Sequence, residues 1–210
     1  MTRPENLEIR VHGVDDRIAA FVSNGSEAVG KLLEQFDPAR LFAQPFLTIA
    51  GRDSLTLFPC RTVVRVDLVM DGFPGWTFHH RIADVRELGE EEFRRFAPVR
   101  SADLESDLHR VFAEVELTNG ERVFLELHVR PEPRMAVDFG MLLQSYLSAP
   151  SHYARRRGGG AVVINPAHIL RLQFHPRPPV VPPGAWCGEP LTRREGIGSS
   201  RQSRERGFVF

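Results

Sequence analysis

The densest run of chemically capable side chains is Arg155-Arg-Arg157, followed at once by Gly158-Gly-Gly160. Guanidinium groups beside exposed backbone amides suit a phosphate or a nucleic-acid backbone. A glycine hairpin turn flanked by solvated arginines uses the same residues, and this plainer reading carries more weight. The equivalent place earlier in the chain holds only Gly51-Arg-Asp53. His79-His80 and His109 are the metal-capable group, but no carboxylate or histidine stands at a ligand spacing such as i, i+4 on one helical face. They are expected to be solvent-facing or core histidines. Serine, histidine and aspartate are plentiful, yet no G-x-S-x-G elbow appears. Neither a G-x-x-x-x-G-K-[ST] phosphate loop nor a G-x-G-x-x-G after a strand is present. Glu90-Glu-Glu92 reads as the negatively charged first turn of a helix. No catalytic residue, metal ligand or cofactor site is nominated, and the chain is not expected to be an enzyme.

Two further stretches suggest docking. Pro178 and Pro179 lie in a proline-rich run that favours an extended polyproline helix, and Phe208 and Phe210 end the sequence on apolar side chains. An extended proline segment loses little entropy on binding, and an apolar terminus can fill a groove. Residues 175–210 are otherwise rich in Arg, Ser and Gly and are expected to form a flexible tail.

Composition narrows the classes. The chain has 210 residues, with 27 Lys+Arg balanced by 27 Asp+Glu. That balance argues mildly against phosphate neutralisation as the main activity. Lys31 is the only lysine, so arginine at any one site reflects a general usage and marks no site by itself. Cys60 and Cys187 are far apart and are expected to be free thiols. No run approaches the roughly 18 apolar residues of a membrane span, and the first residues carry no apolar leader. A cytoplasmic protein with no membrane partner is expected.

The elements that must position these residues occur twice. Glu8-Ile-Arg-Val11 aligns with Glu114-Val-Glu-Leu117, and Leu57–Leu68 with Val163–Phe174, both at an offset of 106 (114 − 8; 163 − 57). Val29–Phe36 matches Phe139–Tyr146 between them. Alternation of apolar and polar residues predicts strands at each end. Asn119-Gly120 predicts a type I′ hairpin. Ser26 is a suitable N-cap for a helix presenting Val29, Leu32, Leu33 and Phe36, and Asp138 for its counterpart. A second hairpin closes each unit, with Phe46–Ala50 or His152–Arg156 as its first arm and Gly51-Arg-Asp53 or Gly158-Gly-Gly160 as its turn. Its second arm is the long apolar strand, which Pro59 or Pro166 should bend.

The predicted fold is therefore α+β and mainly antiparallel. It comprises two tandem SH3-like or Sm-like small-barrel units, residues 7–68 and 114–174, related by a pseudo-twofold duplication. Residues 69–113 form a bracing segment between them, with helices at Glu90–Phe96 and Ser101–Ala113.

Ala161-Val-Val-Ile-Asn-Pro-Ala-His-Ile169 and, more weakly, Leu55–Val66 with Phe46-Leu47 resemble a short bacterial small-barrel domain type. The resemblance covers both units but neither the middle segment nor the tail, and it implies no activity. Arg130-x-x-x-Arg134 resembles the arginine pair of cyclic-dinucleotide-binding PilZ barrels. Their companion D-x-S-x-x-G is replaced here by Asp138-Phe-Gly, so that function is not expected. The duplicated small barrel, the missing catalytic motifs and the docking-like tail together lead to the expectation of a non-enzymatic scaffold or adaptor that binds another protein. The alternative is nucleic-acid binding through Arg155–Arg157 and the arginines of the tail.

Overall fold

The computed structural model describes residues 4–97, 108–130 and 146–175. Their strands and helices run β1 (Asn6–Gly13), β2 (Ile18–Asn24), α1 (Ser26–Gln35), β3 (Phe46–Ala50), β4 (Leu55–Pro59), β5 (Val63–Val69), β6 (Ile82–Leu88), α2 (Glu90–Phe96), β7 (His109–Leu117), β8 (Arg122–Val129), β9 (His152–Arg155), β10 (Ala161–Ile164) and β11 (Ile169–His175). One-turn 3-10 helices at Cys60–Thr62 and Pro166–His168 lead into β5 and β11. Nine strands form one sheet, ordered β11-β7-β8-β6-β9-β10-β5-β1-β2, and β3 and β4 form a separate hairpin. The fold is thus α+β and mostly antiparallel, with a single parallel contact between β6 and β9 among the described strands.

Two separate barrels are not formed, and no closed barrel exists among the described residues. The cause lies in β10. Its Ala161 and Val163 feed one core cluster while Val162 and Ile164 feed another, so both its faces are apolar. Such a strand is satisfied only inside a sheet covered on both sides. It takes that place by pairing with β5, and so joins strands 63–69 and 161–164 in one sheet. Each fully buried Val or Ile here contributes roughly 1.5–3 kcal/mol.

The chain runs twice through one series of bonds. Gly13 N donates to Arg17 O at 2.9 Å and Asp16 N to Gly13 O at 3.3 Å; Leu117 N donates to Glu121 O and Gly120 N to Leu117 O, both at 2.9 Å. Val14 N donates to Thr62 O at 3.1 Å and Thr118 N to His168 O at 3.0 Å. In both turns only the last loop residue has positive φ, Asp16 at 62° and Gly120 at 86°. The β7–β8 connection is therefore a three-residue loop ending in a left-handed residue, and not the type I′ turn that Asn119-Gly120 predicts.

A bulge falls at Val64, between Arg65 paired with His12 and Val63 paired with Gly13. Its counterpart is Leu170, between Arg171 paired with Glu116 and Ile169 paired with Leu117. These ladders relate β5 to β11 at an offset of 106 (171 − 65) but β1 to β7 at 104 (116 − 12). The sequence alignment of the first strand is thus shifted by two, a slip that keeps every side chain on its face.

Other expectations change in detail. Gly25 holds the N-cap position of α1 and Ser26 begins the helix without a side-chain capping bond. Helix α2 has its expected bounds. His109–Ala113 is strand and not helix, because Val111 and Phe112 face two different clusters from one strand. The Asp138-capped helix and PilZ-like Arg134 lie in residues 131–145, outside the described residues. The bracing segment contributes β6, which joins β8 to β9. Its aromatic residues tie α1 to β9: Trp76 stacks on Phe36 at 5.4 Å and meets Tyr153 edge-on at 5.5 Å, while Phe78 stacks on Tyr153 at 5.3 Å. No helix among the described residues is long and apolar enough to cross a membrane.

Candidate binding surface and its buried support

The strongest electrostatic feature is buried. Strand β5 reads Val63-Val-Arg-Val-Asp-Leu-Val69, so Arg65 and Asp67 share one face while Val66 and Leu68 enter the core on the other. Arg65 donates to both Asp67 oxygens at 2.6 and 3.1 Å, to Glu87 of β6 at 2.7 Å, and to Glu121 of the β7–β8 turn at 2.6 Å. His12 of β1 lies 3.5 Å from both Asp67 and Glu121, an ion-pair distance and not a well-formed hydrogen bond. Arg156 reaches Asp67 at 3.4 Å.

Burial works against a charged His12, but Asp67 and Glu121 outweigh it and raise its pKa to about 9. Burial also opposes the Asp67 carboxylate, yet His12 and Arg65 hold it down at about 2. Glu121 is lowered by the same two cations against its own burial. These contacts fasten the β7–β8 turn over β5.

The arginine triplet belongs partly to this cluster. Arg155 donates to Asp84 at 2.7 Å and lies over the Phe73 ring at 4.3 Å. Arg157 donates its backbone N–H to Glu87 at 3.1 Å, and its guanidinium packs so closely on Gly89 that a Cβ there would collide with it. Gly158, Gly159 and Gly160 all have positive φ, and a Cβ on Gly159 or Gly160 would strike the carbonyl oxygen of Met70 or Leu68. The glycines allow the turn to press on the end of β5; Gly160 N donates to Gly72 O at 2.6 Å. Pro178, Pro179, Phe208 and Phe210 lie outside the described residues.

The remaining chemical candidates separate. His79 and His80 stack on each other at 4.1 Å, and His109 sits in β7 opposite Val129. No group of three or more potential ligands is placed to hold a metal ion among the described residues. Cys60 is buried and free, with its thiol pKa raised by that burial. A small cleft of about 150 Å³ is lined by Phe78, Tyr146, Ser151 and His152. His152 stacks on Tyr146 at 4.1 Å, makes no hydrogen bond through either ring nitrogen to a described residue, and is held neutral by burial with a pKa of about 4.

One exposed face is apolar. In the β3–β4 hairpin Leu47, Ile49 and Phe58 pack into the core, while the alternate residues point outward. Phe46, Leu55 and Leu57 on that outer face are 44%, 61% and 50% exposed. On β2, at the edge of the large sheet, Ile18 and Val22 are also exposed. Sequence periodicity assigns the apolar residues of β4 to the core, because period two shows that a strand has two faces but not that one stays uncovered. It also misses the charged cluster, although Arg65 and Asp67 two apart in an apolar run are its signal. Comparison with protein-family models, curated proteins and solved structures gives no match to this chain.

Proposed function

We propose that this chain is a non-enzymatic, protein-binding scaffold made of two tandem copies of one small-barrel-derived unit, residues 7–68 and 114–174. The recurring turn bonds and the bulge at Val64 and Leu170 support the duplication. The observation that carries the binding role is the outer face of β3–β4, where Phe46, Leu55 and Leu57 stand exposed on a hairpin that pairs with no other described strand. Contiguous exposed apolar residues mark interaction surfaces or ligand grooves. The resemblance of both units to a bacterial domain type without an attached activity agrees with this reading.

Nucleic-acid binding is the weaker reading, because Arg155 and Arg156 are ion-paired to Asp84 and Asp67. It then rests on Arg193, Arg194, Arg201, Arg204 and Arg206, outside the described residues. A tagged pull-down from the native cell with and without nuclease separates the two. The scaffold reading expects a stoichiometric protein partner that survives nuclease and is lost with Leu55→Glu/Leu57→Glu. Recovery that collapses on nuclease treatment and ignores those substitutions would overturn it.

A further inference from the structure

We infer that β4 of one copy of this chain pairs with β11 of a second copy, repeating between molecules the ladder that β10 and β5 form within one. The inference rests on the tandem-unit reading and names the partner of its open edge. Within the chain, Ala161, Val162, Val163 and Ile164 pair antiparallel with Leu68, Asp67, Val66 and Arg65. The counterpart of β10 is β4 (161 − 55 = 106), and that of β5 is β11 (171 − 65 = 106). Among the described residues these two strands each lack one neighbour. Strand β4 pairs only with β3, and β11 ends the sheet, paired only with β7.

The side chains differ as a missing ladder requires. Ala161 and Val163 are fully buried, whereas their counterparts Leu55 and Leu57 are 61% and 50% exposed. Val64 is fully buried, whereas Leu170 is 66% exposed. From Ser54 to Cys60 there is no charged residue, and the one proline stands at the end of β4. An edge strand meant to stay single normally carries a charge or an early proline. On β11 the one permanent charge is Arg171, and its counterpart Arg65 sits within the existing ladder. The transferred register places Leu55 opposite Phe174, Thr56 opposite Gln173, Leu57 opposite Leu172 and Phe58 opposite Arg171. Because the two edges differ, one contact leaves a β4 and a β11 open, and two copies close when both ladders form.

The test uses the full chain carrying Thr56→Cys and Gln173→Cys with Cys187→Ser, retaining the buried Cys60. Isotope-labelled and unlabelled copies are mixed, oxidised gently and mapped by mass spectrometry, alongside light-scattering mass. The expected result is a two-chain particle with labelled–unlabelled cross-links at 56–173. These should form roughly tenfold faster than in a Thr56→Cys/Arg171→Cys control, whose sulfurs are out of bonding range. As a second measurement, Leu57→Asp should turn the particle into a folded monomer. A monomeric parent chain, a cross-link confined to one chain, or equal rates in the two pairs would each overturn the inference. If the parent is monomeric yet still captures a nuclease-resistant partner through Leu55 and Leu57, the scaffold reading stands and only self-pairing falls.

Discussion

The hairpins β3–β4 and β9–β10 stand 106 residues apart in the sequence (152 − 46), yet they end in opposite environments. In β9–β10 the turn has positive φ at Gly158, Gly159 and Gly160, and its backbone lies against Leu68 and Met70. Strand β10 can then pair with β5 and bury both faces. In β3–β4 the turn closes through Gly51 N to Ser54 O at 2.8 Å, and no residue of it has positive φ. That hairpin covers the first core cluster with one face and leaves the other bare. The same contrast separates two corresponding arginines. Arg65 is sealed among three carboxylates, while Arg171 binds Glu114 and Glu116 with half its side chain in solvent. The β5–β10 seam is thus sealed, while β4 and β11 each keep an unpaired edge among the described residues.

The largest way to break this contrast is at the seam. Arg65→Ala leaves Asp67, Glu87 and Glu121 facing one another and should cost about 3–5 kcal/mol in urea denaturation. The exposed counterpart Arg171→Ala should cost about 0–1 kcal/mol. Comparable losses for the two would contradict the contrast. Gly160→Ala should cost on the order of 3 kcal/mol, because it combines a positive φ with a collision against the Leu68 carbonyl. Gly51→Ala should be tolerated, its nearest obstacle being the Ser54 side chain.

The seam is also readable by pH. His12 holds its proton more tightly folded than unfolded, so its contribution is complete below about pH 6.5 and is lost as the pH rises toward about 9. Discounted for its partial solvent contact, that loss is about 2 kcal/mol. His152 behaves oppositely. Its folded pKa of about 4 means that stability falls as pH drops from its ordinary value toward 4. The urea midpoint should therefore be greatest between these two limbs, and His12→Gln should flatten the alkaline one. An alkaline limb unchanged in that variant would show that His12 does not contribute to the seam. The smallest contrast lies in the hairpins themselves. Val163→Ala should cost about 2 kcal/mol, and its counterpart Leu57→Ala within about 0.5 kcal/mol.

How much of this the sequence discloses depends on the range of each interaction. Strand β3 and helix α2 have the bounds that period and local charge imply, because alternation and a negative first turn act within a few residues. The start of β7 is misread because Leu104, Leu108, Val111 and Phe112 fit a helical stripe equally well, and only a sheet apolar on both sides decides between them. Arg65 and Asp67 are visible as a polar pair in an apolar strand. Their partners Glu87 and Glu121 stand 22 and 56 residues from Arg65, and no local pattern brings them together. Gly158–Gly160 reads as either a phosphate cradle or a turn until β5 appears beneath it. The exposed face of β4 is hidden for the converse reason, since the apolar residues of a bare strand and a covered one look alike.

Backbone hydrogen exchange in dilute solution tests the central contrast most directly. Peptides spanning Ala161–Ile164 should exchange as slowly as global unfolding allows, because both edges of β10 are paired. In the dissociated single chain, peptides spanning Leu55–Pro59 should exchange faster by orders of magnitude, since β4 there pairs only with β3 among the described strands. Equal protection of the two strands in the dissociated chain would contradict the contrast between a sealed β10 and an open β4.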